Sequence, residues 1–171
     1  MLIIILILAV ALTSFSCRSE TGNYNNIRVP GKKELADMNR YLIQKDRERI
    51  ENYIERRGLP MKESPSGLWY YIENEGYGTF LTDNDRVLME YNCFLIDGTR
   101  CYSSQELGPK ELIIGRSEMQ PGLNQALRML KPGGEGTFIM PPFLGFGLKG
   151  DGNRIPSRAT IVYEIKIPDE K

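Results

Sequence analysis

Histidine is missing altogether from the 171 residues. Its absence excludes Ser–His and Cys–His nucleophile pairs and every zinc or haem site that needs an imidazole. Cysteine occurs only at 17, 93 and 101, too few positions for a Cys-only metal site. Neither sign of charge is in excess, since 22 Lys and Arg face 22 Asp and Glu, and no block of like charge is long enough to act as a polyanion-binding arm. Nucleic acid is therefore not an expected partner. A long apolar run is lacking too: residues 2–12, LIIILILAVAL, fall well short of the roughly 20 that span a bilayer as a helix. Whatever chemistry the chain performs, it is expected to need no metal, no cofactor and no catalytic triad.

What is present divides the chain. The short apolar run reads as the core of a secretory signal over residues 1–16. It ends in Ser14-Phe15-Ser16-Cys17, which resembles a bacterial lipobox. That resemblance implies a mature chain beginning at a lipidated Cys17, attached to a membrane in the cell envelope and facing the periplasm or the cell surface. Two features depart from the pattern: no Lys or Arg precedes the apolar core, and Ser14 stands where Leu is usual. An uncleaved anchor, or an ordinary signal peptide followed by an incidental Cys, is the alternative. Residues 17–31 are polar and without periodicity, a flexible tether that could reach up to about 45 Å.

Residues 32–60 read as a helical extension. From Lys32 to Arg57 there is no Pro or Gly, and Leu35, Met38, Leu42, Ile50, Tyr53 and Ile54 recur near helical spacing before Gly58 and Pro60 stop the pattern. Lys45-Asp46-Arg47-Glu48-Arg49 interrupts the stripe and is expected to be a solvated face. The stripe itself is expected to dock on its own chain or to serve as a homodimer contact.

Residues 61–171 change to strand patterning. Leu68–Ile72 is aromatic and β-branched, and Val87–Ile96 alternates so that Val87, Met89, Tyr91, Cys93 and Leu95 share a face before the Asp97-Gly98 turn. Further strands fit Glu111–Ile114, Thr137–Met140 and Thr160–Ile167. Pro121-Gly122 opens a short helix with Leu123, Ala126, Leu127 and Leu130 on one face, ended by Pro132-Gly133-Gly134. Residues 142–158 form a Gly-rich loop carrying aromatics. Together these predict an α+β domain: one curved antiparallel sheet wrapped around one short helix. Across a strict two-residue hairpin turn, Cys93 faces Tyr102 and Cys101 faces Phe94, so the two sulfurs are expected on opposite sides and free; a bulge or a three-residue turn would change that facing.

Three ordered segments add a resemblance. Tyr91 with Asp97-Gly98 and Ser103-Ser104, then Pro121-Gly122-Leu123 with Lys131-Pro132-Gly133, then Phe146-Gly147 and Ile155-Pro156 leading into Ala159-Thr160-Ile161-Val162-Tyr163, closely resemble the FKBP-type peptidyl-prolyl cis-trans isomerase domain. The match spans roughly Gly67 to Ile167. With the lipobox and the helical stretch, the chain further resembles FKBP-type lipoproteins linked to gliding motility in Gram-negative bacteria. The resemblance implies a pocket for proline-containing polypeptides, with Tyr91, Leu123, Phe146 and Tyr163 as its catalytic cup. Cys101, Tyr102, Met119, Gln120 and Ile155 would bind substrate, and Gln120 would offer a backbone N–H to the ligand.

The chain departs from the family at several of these positions. The Phe-Asp pair after the hairpin is Cys101-Tyr102, the loop tyrosine is Phe146, and the second member of the apolar pair before the helix is Gln120. Trp69 and Phe143 are expected in the core. The implied function is an FKBP-type isomerase assisting the folding of exported proteins from a lipid anchor. A weakly catalytic or non-catalytic peptide-binding chaperone, or a structural module of an envelope or motility complex, is the alternative.

Overall fold

The computed structural model describes residues 29–116 and 118–169. The signal segment, Cys17 and most of the tether lie outside the described residues. The residues from Asp37 onward form one compact unit. No helix among the described residues is long and apolar enough to cross a membrane.

Helix α1, Lys32–Arg57, ends as its sequence predicts. Gly58 adopts φ 61°, its N–H donates to the Glu55 carbonyl and the Leu59 N–H to that of Ile54, which satisfies two terminal carbonyls in a Schellman cap. The strands are β1 Lys62–Glu63, β2 Trp69–Asn74, β3 Arg86–Leu95, β4 Arg100–Ser103, β5 Lys110–Ile113, β6 Glu135–Met140 and β7 Ile161–Lys166. A single turn, α2 (Ser104–Leu107), separates β4 from β5, and α3 (Pro121–Leu127) precedes β6. All pairings are antiparallel, in the order β1-β2-β6-β7-β3-β4, with β5 on the far end of β3. The predicted strands are thus present within a few residues of their ends, and β1 is an additional short one.

Alternation of side chains gives the sheet two unlike faces. On one face Val87, Met89 and Cys93 of β3, Phe138 and Met140 of β6, and Ile161, Tyr163 and Ile165 of β7 pack on Leu123, Ala126 and Leu127 of α3. This is the core, and most of the residues expected to form the pocket belong to it or pack against it. On the other face Ile139 and Val162 are covered by Ile50 and Tyr53 of α1, with Ile54, Trp69 and Phe94 packed around them. Polar pairs occupy other parts of that face: Asn92 donates to Glu164 at 3.0 Å and Thr137 to Glu73 at 3.0 Å.

Three expectations need correction. Only the second half of the α1 stripe docks; Leu35 and Met38 remain exposed. Within the charged run Asp46 is buried, because Arg158 reaches it from another part of the chain. Phe143 is not core but 47% exposed, since it lies in the loop after Pro141-Pro142 where no strand turns it inward.

Candidate active site

Neighbouring strands bring the aromatic walls together. Tyr91 on β3 and Tyr163 on β7 have ring centroids 6.2 Å apart with planes inclined by 53°, a tilted pair of the kind aromatic quadrupoles favour. Ser104 fixes the Tyr91 backbone, its hydroxyl accepting from the Tyr91 N–H at 3.1 Å and donating to the Tyr91 carbonyl at 3.4 Å. Ser103 caps the adjoining turn by accepting from the Glu106 N–H. The Ser103-Ser104 pair therefore anchors this wall.

Leu123, the expected floor, lies in the first turn of α3 and is 1% exposed. Pro121 at the start of that helix presets its backbone, and Gly122 lets the Leu144 carbonyl approach closely enough to accept from its N–H at 2.8 Å. A side chain at 122 would meet that carbonyl at 2.9 Å. Met119 and Gln120 enter the helix half-buried. The Gln120 N–H has no acceptor among the described residues. Beside these residues lies a cavity of about 280 Å³ lined by Leu112, Met119, Gln120 and Leu123, with Lys110, Arg116 and Glu118 among its other lining residues.

The long loop 141–160 supplies the remaining wall. Ile155 is buried within the core cluster that holds Leu123 and Tyr163, and Phe146 is half-buried against that cluster. Cys101 is the extra residue of a bulge: Cys93 pairs with Tyr102 but Phe94 with Arg100. The strict hairpin register is thus overturned, and Cys101 turns into the same core as Cys93 rather than to the opposite side. Both thiols are free. Of the nine expected pocket residues, the eight other than Gln120 belong to one cluster around Leu123.

Electrostatics inside the cluster favour neutral groups. Burial, more than any neighbour, pushes the Cys93 thiol up to about 12 and the Tyr163 phenol up as well. Burial also raises Tyr91 and Cys101. No group in the cup is poised to transfer a proton near neutral pH.

Asp151, Arg154 and Glu106 are functional candidates that the sequence did not reveal. The Tyr102 hydroxyl donates to Asp151 Oδ2, while Asp151 Oδ1 accepts from the N–H groups of Asn153 and Ile155, each at 2.8 Å. Burial opposes the ionised carboxylate, but these hydrogen bonds outweigh it and hold Asp151 below its ordinary range. Arg154 grips Glu106 through two bonds of 2.9 and 2.6 Å and donates to the Cys101 carbonyl at 2.9 Å. Its guanidinium lies 5.3 Å from the Tyr102 ring. The loop is thereby latched to β4 and α2. Asp151 lies between glycines in the loop and reads as turn chemistry; the signal was a carboxylate lost at 102 and another available across the sheet edge.

An antiparallel sheet wrapped on one short helix is the architecture of the FKBP-type peptidyl-prolyl cis-trans isomerases, and that family matches residues 78–168. The chain belongs to this family. Its relatives include the "Probable FKBP-type peptidyl-prolyl cis-trans isomerase FkpA" of Neisseria meningitidis serogroup B, 36% identical over 107 residues covering 63% of this chain and 39% of the relative. FkpA of Escherichia coli K12 is 31% identical over 127 residues, 74% of this chain and 46% of its own. The chain thus spans less than half the length of these relatives. Among solved structures, FkpA from Escherichia coli superposes with a TM-score of 0.61 at 23% identity, over 82% of this chain and 73% of that one. AtFKBP13 gives 0.59 at 27% identity, over 65% and 98%.

Proposed function

We propose that the chain is a peptidyl-prolyl cis-trans isomerase that accelerates proline-limited folding of exported polypeptides from a lipid anchor at Cys17. The observation that carries the catalytic part is the tilted Tyr91–Tyr163 pair in the same core cluster as Leu123 and Phe146, with Tyr91, Tyr163 and the neighbouring thiols kept neutral by burial.

Rotation about an X-Pro bond passes through a twisted amide that has lost resonance, and the barrier is about 18 to 20 kcal/mol. Uncatalysed exchange takes tens to hundreds of seconds. No proton moves and no bond breaks, so neither histidine nor a cofactor is needed. A dry cup favours the twisted amide, which is less dipolar than either planar form, and differential binding of that form lowers the barrier. The free Gln120 N–H suits the carbonyl that precedes the proline. The expected outcome is acceleration of proline-limited refolding at catalytic concentrations of the protein. An effect seen only at stoichiometric concentration would replace this reading with a binding chaperone, which the missing Phe146 hydroxyl and the occupied Tyr102 hydroxyl favour.

The envelope location rests on the apolar run before Cys17. The exposed side chains of Met38, Tyr41 and Ile43 on α1 suit a homodimer contact, which sedimentation of the full chain tests.

A further inference from the structure

We infer that the ion pair between Asp46 of α1 and Arg158 of the loop 141–160 is a positioning device for the proline pocket, which makes α1 part of the machinery of turnover. This rests on the isomerase reading. Arg158 Nη2 donates to Asp46 Oδ2 at 2.7 Å, and the Asp46 side chain is only 5% exposed. A carboxylate so buried is costly unless paired, and the other cation near it, Arg49, stands 4.0 Å away and 70% exposed. The pair joins positions 112 residues apart in the chain.

Three features connect this pair to the cup. Arg158 adopts φ 58°, a left-handed conformation that a side chain other than glycine keeps only when its surroundings hold it. Its N–H donates to the Gly147 carbonyl at 3.0 Å, one residue beyond Phe146, and the Gly147 N–H donates to the Pro142 carbonyl at 2.8 Å. Arg158 therefore closes the base of the loop at the residue that follows the pocket wall. Apolar packing does not duplicate the tie: between α1 and the loop lies a cavity of about 300 Å³ lined by Leu42, Ile43, Phe143 and Leu148 beside the pair itself. Ile43 and Phe143 are each about half exposed and Leu148 is 72% exposed. Asp151 and Arg154 hold the other side of the loop to β4, so loss of the α1 tie frees one side only. A wall displaced by about 1 Å can cost on the order of a hundredfold in rate.

The test compares Asp46→Asn, Arg158→Gly and Arg158→Lys in the full chain. Arg158→Gly removes the charge but tolerates the left-handed backbone, and Asp46→Asn keeps the shape. Turnover of an X-Pro peptide and amide hydrogen exchange are measured below the thermal transition of each variant. Both neutral variants are expected to lower kcat about ten- to hundredfold with little change in KM. The doubly substituted chain is expected to match either alone, and Arg158→Lys to recover much of the loss. Amides of Gly147–Ile155 are expected to exchange faster while those of β6 and β7 do not. Unchanged exchange in the loop overturns the inference, as does faster exchange with wild-type kcat. If the wild type itself shows no turnover, the isomerase reading falls, and the inferred role in turnover falls with it. If Arg158→Gly fails to fold, Asp46→Asn decides.

Discussion

The Tyr102 hydroxyl, on a strand, donates to the Asp151 carboxylate, on a loop, reversing the placement that the family resemblance implies for this corner. There the carboxylate belongs to the strand and the hydroxyl to the loop. A hydroxyl so engaged is not free for a ligand.

Replacing Tyr102 by Phe should loosen the loop and lower stability by about 1 kcal/mol, read from the urea midpoint. Tyr102→Asp should do more damage, because it sets a second carboxylate against Asp151. Since Asp151 is held below its ordinary range, its contribution is present at neutral pH and lost as pH falls through that lowered value. A midpoint difference between wild type and Tyr102→Phe that persists at strong acid would contradict this account.

Phe146→Tyr restores a hydroxyl to a half-buried position of the cup wall. One hydrogen bond is worth about 0.5 to 1.5 kcal/mol, so kcat/KM should rise about two- to tenfold. Unchanged kinetics on an X-Pro peptide would place Phe146 outside the substrate's reach.

Alkali should unfold the domain through its own core. Burial raises the Cys93 thiol from 9.0 to about 12 and raises Tyr163 in the same sense. The unfolded chain releases these protons first, so stability is intact below about pH 9 and falls as pH rises from there towards 12. Denaturation midpoints at pH 7, 9 and 10.5 measure the decline. Cys93 and Cys101 should also resist thiol reagents in the native state at pH 8 and react after denaturation; ready labelling of native protein would contradict the burial.

Cys17→Ser should release the protein from membrane fractions and remove the mass of the acyl chains. Two or more chains are needed for lasting attachment, at about 0.8 kcal/mol per buried CH2. Identical fractionation and mass in the variant would count against lipidation.

Much of the fold was legible because strands and the α3 helix carry strict periodicity on a single face. Val87, Met89 and Cys93 alternate as written, and Gly58 stops α1 where the cap requires it. The cup was legible only through the family pattern, since Tyr91 and Tyr163 at alternating positions look like any core aromatics. The Cys101 bulge was not legible: a turn dipeptide states that strands reverse, but the register depends on packing across the sheet. Asp46 was hidden for the same reason. Its partner lies far along the chain, and a run of alternating charges carries no sign of which member is buried.

Strand β7 lies between β6 and β3, at the middle of the sheet, yet it is the last strand among the described residues. A polypeptide emerging N-terminus first therefore cannot close this sheet until the final strand is free. Everything before residue 161 must wait with β3 and β6 each lacking a neighbour, in a state whose unpaired edges invite association. The β3–β7 pairing also joins residues distant in sequence, a topology of the kind that folds slowly.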